Sequence, residues 1–193
     1  MNDKPTRINM IETTARLIER QGFAATGLNQ ILKESKAPRG SLYYHFPDGK
    51  EELVTEAILH RAQRISQHVA QQLAQHQDVL KAFDRLIDSM IAYANETDCS
   101  GGAPIAAVAL ETSTTNPVIR EACCKAYELL QTPIEQKLLN GGFSAQMANS
   151  LATHITAVLE GAIVLTRVQK KTTPLSATRQ QIRHLLTCLQ TKT

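Results

Sequence analysis

Six side chains within twelve residues carry most of the chemistry in this chain: Arg39, Ser41, Tyr43, Tyr44, His45 and Lys50. A guanidinium, a hydroxyl, two phenols, an imidazole and an ammonium are the groups that meet a nucleic-acid duplex. Phosphates accept hydrogen bonds from cations and hydroxyls, whereas base edges are read by forked donors and flat rings. Arg39 is long enough to reach a phosphate or to grip a guanine edge with two bonds, and the sequence leaves both open. Thr26, Tyr44, His45 and Lys50 read as groups that hold the sugar-phosphate backbone. Tyr43 reads as a stacking group or a support of the segment, and Ser41 as a donor to base edge or phosphate. Gly40 has no side chain where a helix would press into the groove, which favours close approach. Leu42 and Phe46 are core residues by type and position.

Such groups work only if a rigid element presents them together. Arg39 to His45 reads as a short helix, with Pro38 at its first position, where the fixed φ of proline fits and its missing donor is harmless. Before it, Thr26 is a capping residue for a helix from about 27 to 35 that buries Leu28, Ile31 and Leu32, and Lys36 with Ala37 makes the turn. Ile8, Ile11, Ala15 and Ile18 recur at three- and four-residue steps, so a first helix over 6–21 starts at a Thr6 cap and stops at Gly22. Residues 46–50, PheProAspGlyLys, are a breaker cluster. Beyond them a long helix runs to about residue 76 with Leu53, Ala57, Leu59, Ile65 and Val69 on its stripe. Further helices are expected at 78–96, 104–113, 117–140, 145–170 and 176–190, with Asn116–Pro117 as a start signal, Gly141–Gly142 as a stop and Pro133 as a kink or a break. No segment alternates with period two as a half-buried strand must. The fold class is all-α: a three-helix head over 1–50 and about six more helices over 51–193.

Charge follows the same division. Residues 1–50 hold eight Lys and Arg against five Asp and Glu, while residues 51–193 hold thirteen of each, so the whole net charge of +3 sits in the head. That is the distribution expected where neutralised phosphates release counterions on binding. Hydrophobic residues at 42% and charged residues at 20% describe a globular chain, and no window holds the roughly 18 uninterrupted apolar residues of a membrane helix. The opening MNDKPTRINMIE lacks the apolar core of a signal peptide, so a cytoplasmic location is expected. Cys99, Cys123, Cys124 and Cys188 form no CxxC pair and no zinc-ligand spacing; they read as reduced thiols, and no metal or cofactor is expected. Nor is an enzyme: GxGxxG, GxxxxGK[ST], HExxH and GxSxG are all missing.

Gly22, Phe23, Thr26, Arg39, Gly40, Ser41, Leu42, Tyr43, Tyr44, His45, Phe46, Lys50, Glu51, Glu52 and Leu53 match, with the spacing kept, the reading head of the TetR family of one-component transcriptional regulators, which the chain resembles. Lys36 departs from the pattern, standing where that family usually has the glycine of the turn. If this residue must be left-handed, lysine costs on the order of 1 kcal/mol. The distal segments 102–111, 159–162 and 174–175 resemble the LmrA/YxaF-type subgroup, although Ala103 takes the place of a cysteine usual there. The resemblance implies a ligand-responsive regulator, most simply a repressor, that binds double-stranded DNA as a homodimer on a palindromic operator. It also implies drug-like or planar aromatic effectors, control of an adjacent efflux or detoxification gene, and a dimer surface from 145–170 and 176–190. An activator of the same fold, or a helical interaction protein that keeps only the shape, remains as an alternative.

In the distal half, Met90, Tyr93, Ile105, Val108, Ala109, Leu159 and Ile163 are candidates to line an effector pocket between helices, with Glu111 and His154 as the polar groups that orient a small hydrophobic molecule. Core packing and surface pairing are the alternatives for each. Gly161, Ala157 and Ala162 would let two helices approach closely. Leu175, Ile182, Leu185, Leu186 and Leu189 leave an apolar stripe broad enough to require a partner subunit.

Overall fold

Helix boundaries in this computed structural model, which describes residues 3–101 and 104–190, fall where the chain supplies a cap or a breaker. Among the described residues nine helices and no strand occur: α1 Asp3–Gln21, α2 Leu28–Ser35, α3 Arg39–His45, α4 Lys50–Ala74, α5 Val79–Glu96, α6 Pro104–Thr112, α7 Pro117–Asn140, α8 Ala145–Gln169 and α9 Thr173–Gln190. Gly22 stops α1 with a φ of 84° and Gly142 follows α7 with a φ of 90°, the left-handed geometry that glycine adopts without steric cost. Asn116 caps α7 by accepting from the N–H of Ile119 at 2.9 Å, and Asp78 and Ser144 cap α5 and α8 in the same way. α7 continues as helix through Pro133.

Three start signals differ from expectation. α1 is already helical at Asp3, so Thr6 lies inside it rather than at its cap. Gly27 is the N-cap of α2 and makes no side-chain bond, because the Thr26 hydroxyl turns back and donates to the carbonyl of Gly22 at 2.7 Å. Pro38 is the N-cap of α3 rather than its first helical residue, extended at φ −61° and ψ 145°. Lys36 is left-handed at φ 56° and ψ 29°, as its place in the turn requires.

The chain forms two compact units, Met1–Arg64 with Pro104–Tyr127, and Ile65–Ala103 with Glu128–Thr193. In the first, the core of the head is Met10, Ile11 and Leu17 of α1, Ile31 and Leu32 of α2, Leu42 of α3, Phe46, and Leu53 and Ala57 of α4. The buried face of α1 therefore runs through Met10, Ile11, Thr14, Leu17 and Ile18. Ile8 is 40% exposed and Ala15 only half-buried, so the stripe is turned by one position from the expected one. Ion pairs from Arg7 to Glu56, Arg61 to Glu19 and Arg64 to Glu12 tie α1 to α4. In the second unit, α5, α8 and α9 share one core. Leu175, Ile182 and Leu186 of α9 are buried in it, with Leu185 and Leu189 packed against it. Three of the five residues of the α9 stripe are thus buried within the chain, while Leu185 and Leu189 stay partly exposed. α8 is the one described helix long and apolar enough to cross a membrane by composition, and Leu151, Ile155 and Leu159 face that core. The large apolar residues it exposes are Met147 near its start and Val164, Leu165 and Val168 near its end.

Candidate nucleic-acid interface

Seven residues make only two turns of helix, so α3 holds its orientation by what it buries. Leu42 is 2% exposed and Phe46 fully buried, and these two anchors leave the opposite face outward, with Tyr43 64% and Tyr44 70% exposed. The two phenols thus stand side by side on the outward face of α3. Arg39 and Gly40 are exposed beside them, and Ser41 and His45 are half-exposed. The Arg39 guanidinium donates to Oδ1 of Asn29 on α2 at 3.0 Å. This bond restrains the side chain before any ligand arrives, and Asn29 is a residue that sequence reasoning missed. Ser41 donates its hydroxyl to the Pro38 carbonyl at 2.9 Å, tightening the first turn. A methyl group built on Gly40 meets nothing within 4 Å. The Tyr44 ring packs edge-on to His45 at 4.9 Å.

Several other cations of the head are paired with carboxylates. Arg16 and Arg20 both pair with Glu34, at 3.1 and 3.5 Å. The amide of Gln30, above all, and then these guanidinium groups hold the Glu34 carboxyl below its ordinary value, against some desolvation. Lys50, at the start of α4, is half-buried. Its ammonium donates to the Phe23 carbonyl at 3.4 Å and lies 4.4 Å from the centre of the Phe23 ring. Burial lowers its pKa, while the charge of Glu111 acts in the opposite direction. Thr26 is fully buried. The candidate interface residues therefore form two groups: Pro38, Arg39, Gly40, Ser41, Tyr43, Tyr44 and His45 lie on or next to α3, whereas Thr26 and Lys50 lie at the loop between α1 and α2, where the buried Thr26 hydroxyl is turned to Gly22 and is not open to a phosphate as expected.

The nine candidate effector residues divide between the units, and each set is described where it lies. In the first unit Ile105 and Val108 are buried, Ala109 is half-buried and Leu110 is 86% exposed. Glu111 accepts from the backbone N–H groups of Phe23 at 3.3 Å and Ala24 at 2.8 Å. In the second unit the core brings Leu159 together with Met90 and Ile163, Tyr93 is 46% exposed with its ring against Gly101, and His154 is exposed. None of the nine lines an open, mainly apolar groove of about 380 Å³ in the first unit, formed by Thr55, Leu59, Pro117, Val118, Glu121, Ala122 and Lys125. Ala103 lies outside the described residues. Cys123 is buried and Cys124 exposed, as adjacent helical positions require. Burial, with Cys124 beside it, raises the Cys123 thiol to about 11, which leaves it protonated and unreactive at neutral pH.

Residues 10–57 match the family of bacterial regulatory proteins named for tetR, and residues 79–181 match the C-terminal domain of LmrA/YxaF-like transcriptional regulators. The chain is 36% identical to the uncharacterised HTH-type transcriptional regulator YxaF of Bacillus subtilis, over 92% of this chain and 93% of the other. It is 37% identical to the HTH-type transcriptional regulator LmrA of the same organism, over 88% and 90%. Among solved structures, a TetR transcriptional regulator from Chloroflexus aurantiacus superposes with a TM-score of 0.78 at 26% identity, covering 96% of each chain. One from Legionella pneumophila reaches 0.78 at 20% identity over 92% of this chain and 95% of that one, a likeness of fold.

Proposed function

Because the chain belongs to the TetR family of transcriptional regulators, with a C-terminal domain of the LmrA/YxaF-like kind, we propose that it is a cytoplasmic, homodimeric repressor that leaves a palindromic operator when a small hydrophobic or aromatic effector binds. Residues 1–50 carry DNA binding, and residues 51–193 carry effector binding and dimerisation. The observation that bears most weight is the outward face of α3, where Arg39, Gly40, Tyr43 and Tyr44 stand exposed over a buried Leu42–Phe46 anchor.

On this reading Arg39, restrained by Asn29, reads the major groove. Tyr43 stacks on a base or a thymine methyl, Ser41, Tyr44 and His45 hold phosphates, and Gly40 admits the backbone to the groove. Pro38 sets the start of the recognition helix. Thr26 and Lys50 act from behind by fixing the loop that leads into α2, with the Lys50 charge adding to the field felt by phosphate. Two heads are supplied by a two-fold dimer, for which the exposed Val164, Leu165 and Val168 of α8 give a surface. The effector contacts either residues of the second unit among Met90, Tyr93, His154, Leu159 and Ile163, or residues of the first among Ile105, Val108 and Ala109. It weakens operator binding only by as much as it prefers the non-binding conformation, typically about 1–3 kcal/mol.

The test is fluorescence anisotropy on duplexes tiled across the DNA upstream of the chain's own gene, over a salt series, with wild type and Arg39→Ala. Tight binding to one tile with a steep salt slope, and its loss in the variant, is the expected result. Equal, weak binding to every tile of this DNA and of a genomic library would overturn the reading and favour a helical interaction protein.

A further inference from the structure

The loop between α1 and α2 places the start of α2, and through it the turn and α3, yet its own short backbone has little regular structure to hold it. Its polar groups are met one by one. The Gly22 N–H donates to Ile18 and the Gly22 carbonyl accepts from the Thr26 hydroxyl. The Phe23 carbonyl accepts from the Thr26 N–H and from Lys50, and the Ala25 carbonyl from the Gln21 amide at 2.7 Å. All these partners belong to the head or to the first residue of α4. The consecutive N–H groups of Phe23 and Ala24 are different, since they converge on the two carboxylate oxygens of Glu111, 87 and 88 residues away on α6.

Three further observations fit a built clamp. Gly22 has a φ of 84°, and a Cβ placed on it would stand 2.5 Å from Oε1 of Glu111, so the carboxylate occupies space that any other residue would fill. Glu111 is the charge that opposes the desolvation of Lys50, which grips the carbonyl of the same Phe23. Just past the end of α6, Asn116 donates to the Glu51 carboxylate in the first turn of α4, so the segment after α6 is tied to the head a second time. The segment Pro104–Tyr127 that carries these groups returns to the first unit from a stretch of chain assigned to the second.

We propose that Glu111 is a positioning residue for operator binding: its carboxylate, carried on α6, clamps the α1–α2 loop and so sets the pose of the reading helix. This rests on the regulator reading above and gives Glu111 a role other than orienting an effector. A carboxylate that takes two N–H bonds at once holds them more strongly than a neutral acceptor does. Any shift of α6 that withdraws it leaves both donors to water and the loop free to change its angle.

The experiment compares wild type with Glu111→Gln, Glu111→Ala and, as a control on the same turn, Leu110→Ala, whose side chain is 86% exposed. Amide hydrogen exchange of Phe23 and Ala24 in the DNA-free protein is read beside anisotropy on the duplex that wild type binds. The expected result is faster exchange at those two amides, with α1 protection and Tm little changed, and operator affinity weakened on the order of tenfold in the alanine variant. The glutamine variant, which keeps one acceptor oxygen, falls between, and Leu110→Ala matches wild type. Unchanged exchange overturns the clamp. Faster exchange with unchanged affinity overturns the positioning role, since the clamp would then be structural only. If wild type itself binds no duplex, the regulator reading fails and the positioning role with it, while the exchange data still report separately whether the clamp exists.

Discussion

Gly40 is the residue at which stability and function pull apart. Glycine inside a helix costs about 1 kcal/mol relative to alanine, and the DNA-free chain offers no packing reason for it, because an added Cβ meets nothing within 4 Å. On the proposed reading the reason lies in the complex, where the backbone of α3 presses against the duplex. Gly40→Ala is therefore expected to raise the Tm by a few degrees, the shift that follows from about 1 kcal/mol in a chain of this size, while weakening operator binding at least tenfold. Thermal unfolding and anisotropy on the same preparation check both arms. A stabilised variant with full affinity would show that α3 does not approach the groove at this position. Arg39 differs in kind, since its bond to Asn29 means that an alanine there removes a contact in the DNA-free chain as well.

The turn between α2 and α3 shows the same logic at the scale of elements. Lys36 is left-handed, and the chain closes the end of α2 around it with the Ala37 N–H donating to the Leu32 carbonyl at 3.1 Å. Lys36→Gly should stabilise the protein by about 1 kcal/mol through relief of the Cβ clash, measurable as a higher denaturant midpoint at constant m. Operator affinity is expected to change little, because the backbone already has the geometry that glycine prefers. Elements of this kind were legible in the sequence because their signals are local: Gly22, Pro47 to Gly49, Asn116 and Gly141–Gly142 each end or start a helix within one or two residues of expectation. What depends on distant partners was not legible. Two stripes fit the pattern of α1, and only packing against α2 and α4 selects Met10 and Leu17 over Ile8. Thr26 has the type of a cap, but Gly22 lies within reach of its hydroxyl once the loop is folded. Glu111 looked like a polar group in an apolar run, since nothing near it in sequence announces a bond to residues 23 and 24. The pairing of Asn29 with Arg39 likewise appears only when α2 and α3 are set side by side.

For the whole molecule, the question is what joins two reading heads. Of the two helices that the sequence offered for this, α9 turns Leu175, Ile182 and Leu186 into the core it shares with α5 and α8, while α8 keeps an apolar face outward. There Val164 and Leu165 are about half exposed and Val168 is 76% exposed, on the same helix as the exposed Ala157 and Gly161. A Cβ on Gly161 meets nothing within 4 Å, so the small side chains leave room for another helix to approach. If a second copy covers this face, a buried carboxylate there is costly, whereas in a monomer Val168→Glu is a harmless surface change. Sedimentation should therefore find wild type dimeric and Val168→Glu shifted toward monomer, with the helical circular dichroism unchanged. Operator affinity should fall by about a hundredfold or more, because one head then binds without the effective concentration supplied by its twin. A Val168→Glu protein that stays dimeric and binds DNA normally would place the dimer contact elsewhere on the chain. A monomeric wild type that still binds a palindrome tightly would remove the need for a two-fold partner altogether.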